Sequence, residues 1–275
     1  MEPKKKGIIY WIFATLIAII WISPILATML TSLKTLDELN TGRYWTWPDR
    51  LQWVNYYEAF VVGGFSKYFV NSLIITIPSV LAVLFFSSMN GYVLAKLRFR
   101  FRNRISLLFL GGMLLPFQIL LIPVFFLSAK LLHTYDTYLG VILFHVAFQT
   151  GFGSFFMKNY MSSIPDSMIE AARIDGCSES KIFFKIVLPV MLPAITALST
   201  LLFTWIWNDF LWALVLIQSD ELKPITVALQ NLKGQWVASY HLQSAGAVIA
   251  AIPPVLIFLF LQKHFIKGLT LGSER

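Results

Sequence analysis

The sequence offers two clusters of residues whose types and spacing could do chemistry. The first is Trp207-Asn-Asp-Phe-Leu-Trp212, which sets the carboxylate of Asp209 beside a carboxamide and between two indoles, late in a long apolar run. An ionisable residue at membrane depth is a functional site by default. Indole faces stack on sugar rings, and carboxylate and carboxamide groups bond their hydroxyls. Trp207, Asn208, Asp209 and Trp212 are therefore candidate substrate-path residues. The alternative is a carboxylate satisfied by neighbouring backbone or placed at the membrane interface, and the sequence leaves both readings open.

The second cluster is Glu170-Ala-Ala-Arg-Ile-Asp-Gly176, followed by Ile186-Val-Leu-Pro189, in a polar, basic interval between two hydrophobic spans. A channel or membrane enzyme has no obvious need of such a segment, whereas a membrane subunit driven by a soluble motor does. Ser163-Ile-Pro-Asp166 reads as a helix start, with proline suited to the first helical position and Asp166 complementing the dipole. Met168, Ile169 and Ala172 fall at helical spacing on one face. Gly176 fits a C-terminal stop that needs positive φ. The expected helix has about eleven residues and a length of ~16 Å, too short and too polar to span. A second helix is expected from Ser178 to Leu188, with Ile182, Phe183, Ile186 and Val187 on one face. Pro189 and Pro193 then redirect the chain. Glu170 offers its charge to a partner or to Arg173 at i+3. The bland alternative is an amphipathic helix resting on the bilayer.

No catalytic constellation is present. There is no Gly-x-x-x-x-Gly-Lys-Ser/Thr and no Gly-x-Ser-x-Gly, so neither ATP hydrolysis nor a serine hydrolase has support in this chain. His133, His145, His241 and His264 are scattered without metal-ligand spacing. The single cysteine, Cys177, can form neither a disulfide nor a metal cluster within the chain. No catalytic residue, metal or cofactor is expected here.

These residues must be positioned by membrane helices. Hydrophobic residues make up 57% and charged residues 13% of the 275, against about 25% charged in a soluble domain. The charges cluster: the intervals Lys6–Lys34 and Lys67–Lys96 are uncharged, each longer than the ~20 residues a spanning helix needs. We expect one transmembrane domain over 1–275, all-α, with six spans at about 8–30, 69–95, 105–128, 138–158, 191–217 and 244–262. The polar interval then falls at about 159–190. Lysines and arginines concentrate at both ends, between spans two and three, and between spans four and five. By the positive-inside rule the termini and these loops are cytoplasmic. The net charge of +8 is therefore loop charge, and nucleic acid is not an expected partner. Residues 31–68, 129–137 and 218–243 face outward. Trp45, Trp47, Trp53, Tyr56 and Tyr57 in the first of these read as an interfacial belt or as a docking surface for a partner, with most of them expected in the belt. Pro24, Pro78, Gly111, Gly112, Pro116, Pro123, Pro253 and Pro254 lie within spans, as ordinary kinks or as broken helices lining a path.

The polar interval resembles the EAA loop of binding-protein-dependent ABC importer permeases, and the chain is similar to the maltose-transporter type over nearly its whole length. The resemblance rests on Tyr68-Phe-Val-Asn-Ser-Leu73, Ile122-Pro-Val-Phe-Phe126, Ile164 to Ala172, Trp207 to Trp212, Ser244-Ala-Gly-Ala247 and Leu261 to Gly268. It implies a type I ABC importer permease fold with a cytoplasmic coupling helix, multi-pass in a bacterial or archaeal cytoplasmic membrane. It implies a second homologous permease subunit, two ABC ATPase subunits that hold ATP and Mg, an extracytoplasmic sugar-binding protein, and a sugar or oligosaccharide as cargo. The coupling role falls on Glu170, Ala171, Ala172 and Gly176, flanked by Arg173 and Asp175. Contact with the binding protein falls on about Gln230 to Trp236, with Gly234 and Gln235 between. A proton- or sodium-coupled secondary carrier is the alternative, and a membrane enzyme the third reading.

Overall fold

In a computed structural model the chain is helical throughout, with no strand among the described residues, which are 3–230 and 239–270 (side chains from 10 to 262). In chain order the principal helices are α1 Pro3–Ser32, α2 Phe65–Lys96, α3 Arg102–Met113, α4 Tyr138–Ser162, α5 Asp166–Ile174, α6 Leu192–Trp207, α7 Leu211–Leu216 and α8 Tyr240–Thr270. Four runs are long and apolar enough to cross a membrane: Tyr10–Ser32, Phe65–Lys96, Tyr138–Ser162 and Tyr240–Gln262. Two bent pairs bring the total to as many as six: α3 with Phe117–Leu131, at 92°, and Glu179–Val190 with α6, at 74°. The chain folds as two compact units, Met1–Lys67 with Ala228–Ile252, and Tyr68–Val227 with Pro253–Arg275.

The internal prolines divide by effect. Pro24, Pro78, Pro253 and Pro254 lie inside continuous helices. Pro116 marks a break: α3 ends at Met113, with the Leu114 N–H bonded to the Gly111 carbonyl at 3.1 Å, and Pro116 then caps the next segment at ψ 116°. A second break divides the run expected as the span 191–217. Helix α6 ends at Trp207, and α7 starts at Leu211.

In the first unit, residues 33–57 form a built cap. Thr35 and Glu38 make a reciprocal capping box at Leu36–Asn40. Glu38 Oε1 also accepts the Asp49 N–H at 2.8 Å. Burial pushes the Glu38 carboxyl up, but the N–H groups of Asp49 and Thr35 outweigh it and hold it below its ordinary value. Lys34 is fully buried and donates to the carbonyls of Arg43 and Tyr44. Asn55 ties the carbonyls of Ser32 and Lys34, at 2.9 and 2.8 Å. Trp45, Trp47 and Trp53 stay exposed on this cap, while Tyr56 bonds Ser32 at 2.7 Å.

In the second unit, α2 and α4 cross closely. A β-carbon on Gly91 would lie 2.7 Å from Met157 Cβ, and one on Gly153 would lie 2.2 Å from Ser87 Oγ. Small residues at both positions let the backbones approach, the usual basis of helix association in lipid. Asn90 donates to Ser154 Oγ across the same crossing at 3.1 Å.

Candidate functional site: a surface helix between two long helices

Helix α5 is set by its ends. Pro165 occupies the N-cap, one position earlier than expected, and the helix runs nine residues rather than about eleven. Its C-terminus is a complete Schellman motif: Gly176 N–H bonds Arg173 O and Cys177 N–H bonds Ala172 O, both at 3.0 Å. Gly176 takes φ +76°, as its expected role requires. Ser178 then caps the following turn, and Ile182, Phe183 and Val187 are buried beneath it.

The faces of α5 differ sharply. Ile169 and Ala172 are buried inside the chain, Ala172 at 6% exposure. Glu170, Ala171, Arg173, Asp175 and Gly176 are exposed. Ile174 is exposed at 86%, an isoleucine presented on an otherwise polar surface. Ala172 therefore packs within the chain, and the surface offered outward is Glu170, Ala171 and Ile174 with Asp175 and Gly176. The exposed Ile174 was legible only as part of the helix, because its face depends on which side of α5 packs down.

Two ion pairs fasten the helix. Lys96 Nζ, at the end of α2, lies 2.6 Å from Asp166 Oδ1 and 2.6 Å from the Ile164 carbonyl. The hydrogen bond and charge of Lys96 hold the Asp166 carboxyl below the usual carboxylate range. Arg173 Nε lies 2.6 Å from Glu179 Oε1, and Tyr92 donates to Glu179 Oε2. Arg173 thus pairs with Glu179 in the next turn. Between these straps lies a cleft of about 360 Å³, walled by Lys96, Arg98, Asp166, Ile169, Glu170 and Arg173.

The other predicted cluster is placed at the break between α6 and α7. Trp207 is buried against Phe69 and Phe203, and Trp212 stacks on Phe144 with centroids 3.5 Å apart. The Asp209 carboxylate accepts the N–H groups of Trp212 and Ala213, at 3.4 and 3.1 Å. Both partners are backbone groups of the kind one of the two readings expects. Asn208 is exposed. The indoles and carboxylate hold the break, and only Asn208 is presented outward.

The segment after α7 is clamped to the second unit. Asp136 accepts from Gln218 N–H at 2.9 Å and from Ser219 N–H at 2.8 Å, and the Ser219 hydroxyl also donates to it. These donors, the Ser219 hydroxyl foremost, hold the Asp136 carboxyl below its ordinary value. Asn71 ties the carbonyls of Glu221 and Lys223, at 2.8 and 3.0 Å, and Ser72 Oγ accepts the Ile225 N–H. These clamps were not anticipated, since Asn71 and Ser72 stood only as part of a resemblance. Gln230 is exposed; Gly234, Gln235 and Trp236 lie outside the described residues. No group of three or more metal-ligating side chains occurs among the described residues.

The described residues form an all-helical chain with four to six candidate membrane spans and a short surface helix held near both ends by ion pairs. The chain belongs to the family of binding-protein-dependent transport system inner membrane components, whose model matches residues 87–271. It is 36% identical over 267 residues to the arabinooligosaccharides transport system permease protein of Bacillus subtilis, covering 96% of this chain and 94% of the relative. The permease of the same description from Halalkalibacterium halodurans is 37% identical, with both chains fully covered. A bacterial ABC transporter involved in import of the acidic polysaccharide alginate has the same fold, with TM-score 0.84 and 24% identity over 95% of this chain and 97% of that one. The chain is thus a transport subunit of the cytoplasmic membrane and not an enzyme, and the ion-coupled carrier and membrane-enzyme readings fall away.

Proposed function

We propose that this chain is one of two permease subunits of an ATP-driven importer for a sugar or oligosaccharide, and that α5 is its coupling helix. The observation that carries the reading is the exposed Ala171 and Ile174 face on a nine-residue helix fixed at both ends by charged side chains. A helix held this rigidly transmits displacement to α2 through Lys96 and to the Glu179–Val190 run through Arg173. Two ABC ATPase subunits would supply that displacement, holding ATP and Mg in sites of their own. An extracytoplasmic sugar-binding protein would deliver cargo. Gln230, exposed beyond the clamped segment, and Gly234, Gln235 and Trp236 would meet it. Asn208 would face the path, with Trp207, Asp209 and Trp212 shaping the break behind it. Both termini and α5 would be cytoplasmic, as the charge distribution favours.

The sugar reading draws on relatives named for arabinooligosaccharides. The test is ATPase activity of the complex purified through this chain and reconstituted with its binding protein, across a panel of oligosaccharides and polyols. Stimulation by one carbohydrate class is expected. Equal activity with every ligand and with none would overturn the sugar assignment.

A further inference from the structure

Side chains of α2 reach both the surface helix α5 and the segment beyond α7. At its C-terminal end α2 grips α5 twice. Lys96 Nζ holds the start of α5, through Asp166 Oδ1 and the Ile164 carbonyl, each at 2.6 Å. One turn earlier Tyr92 donates to Glu179 Oε2, and Glu179 Oε1 accepts from Arg173, in the last turn of α5, at 2.6 Å. At its N-terminal end α2 holds residues 220–225. Tyr68 donates to Asp220 Oδ2. Asn71 donates both amide hydrogens, to the Glu221 and Lys223 carbonyls at 2.8 and 3.0 Å, and its oxygen accepts from Tyr138 of α4 at 2.7 Å. Ser72 Oγ accepts the Ile225 N–H at 2.9 Å.

Between these two sets of contacts α2 is one unbroken helix, with Pro78 accommodated inside it. Tyr68 and Lys96 therefore stand about 42 Å apart along its axis, at 1.5 Å per residue. Its flank is packed on α4 without slack, at Gly91 against Met157 and at Ser87 against Gly153. Close-packed elements transmit strain rather than absorb it. The segment held at the far end has only a single turn of its own, Asp220–Leu222, so side chains of α2 set the course of its backbone. Asn71 spends both donors and its acceptor there and is 4% exposed. Gln218, Asp220 and Glu221 are exposed on the same segment.

Resting on the importer reading above, we propose that α2 is the rod that links docking of the binding protein to the coupling helix, with Asn71 the positioning residue at its outer end. A binding protein seated against Gln218, Asp220 and Glu221 shifts a backbone bonded to Tyr68, Asn71 and Ser72. The shift passes along α2, and α5 follows through Lys96 and Tyr92. By linkage, displacement of α5 by the ATPase reaches residues 220–225 along the same helix. Asn71 acts through the carbonyls it holds, because its own side chain is withdrawn from any docked surface.

The ATPase of the reconstituted complex is measured with and without its binding protein, loaded in turn with each member of the oligosaccharide and polyol panel. The readout is the ratio of the two rates. Asn71→Leu keeps the branched shape and removes three hydrogen bonds. Its ratio should fall by about fivefold or more, the scale of an ordinary coupling between sites. Asn90→Ala is the control: it removes the bond to Ser154 Oγ at 3.1 Å, between the two ends of the same helix, and grips neither α5 nor residues 220–225. Its unfolding midpoint should fall while its ratio stays that of the natural chain. An unchanged ratio in Asn71→Leu, or an equal loss in Asn90→Ala, overturns the rod and leaves the importer reading standing. A natural complex that no loaded binding protein stimulates overturns both. Should Asn71→Leu fail to assemble, Tyr68→Phe, which loses one hydrogen bond, is read in the same assay. A lowered ratio there supports the rod, and an unchanged one overturns it.

Discussion

The Lys96 ammonium, 96% withdrawn from solvent, reaches across seventy positions of sequence to hold the exposed Asp166 carboxylate at 2.6 Å. This contact fixes the start of the surface helix to the end of the second long helix. Lys96→Met should cost about 1–2 kcal/mol, chiefly through the Ile164 carbonyl left without its donor. The chain should still assemble, and the number of cargo molecules moved per ATP should fall. The Asp166 carboxyl lies below its unfolded value, so its contribution is present above about pH 4 and is lost as pH falls through the folded value. An acid titration of the unfolding midpoint, compared with Asp166→Asn, checks the sign.

The two alanines at the centre of the surface helix should separate folding from docking. Ala172 is buried in the chain, and Ala172→Leu should overpack its site at a cost of about 1–3 kcal/mol. Ala171 is exposed. Ala171→Leu should leave the unfolding midpoint within a degree or so while reducing the ATPase that co-purifies. Equal loss of stability in both variants would place Ala171 in the core.

Gly176 closes the Schellman motif at φ +76°, with open space where a β-carbon would sit. Gly176→Ala should therefore cost about 1 kcal/mol through backbone strain alone, and Gly176→Asn less. We expect ATP hydrolysis to continue in Gly176→Ala while uptake drops. Unchanged uptake would remove the helix end from coupling.

Asp136 combines φ +57° with bonds to Gln218 and Ser219. Asp136→Asn keeps a residue that tolerates that conformation, whereas Asp136→Ala loses both, at about 2–3 kcal/mol. Because these donors hold the carboxyl below its ordinary value, the clamp should weaken only as pH falls below about 4. Protease sensitivity at Gln218–Lys223, measured against pH, reports its release.

The surface helix was legible because its signals are local: a proline and an aspartate at one end, a glycine at the other, and apolar spacing between. The long uncharged intervals likewise announced the spans. What escaped was set by partners far away in sequence. Trp207 to Trp212 carries no break signal as strong as Pro116, and Asp209 reveals its role only when its oxygens meet the N–H groups of Trp212 and Ala213. Burial of Lys34 depends on carbonyls nine and ten positions on, supplied by a loop that composition renders as an aromatic belt. The same limit applied to Ala172, since periodicity gives a face but not what covers it.

The claim that this helix receives the motor is tested most directly by cross-linking from its exposed isoleucine. Ile174→Cys is built on a Cys177→Ser background, which removes the single natural cysteine, and the assembled complex is labelled at that thiol with benzophenone-maleimide and illuminated, so that the second bond forms to a C–H of whatever lies against position 174. The account predicts a cross-link to the ATPase subunit whose yield changes when ATP is added. An assembled, ATP-hydrolysing complex that gives no cross-link from position 174, with or without ATP, would contradict it.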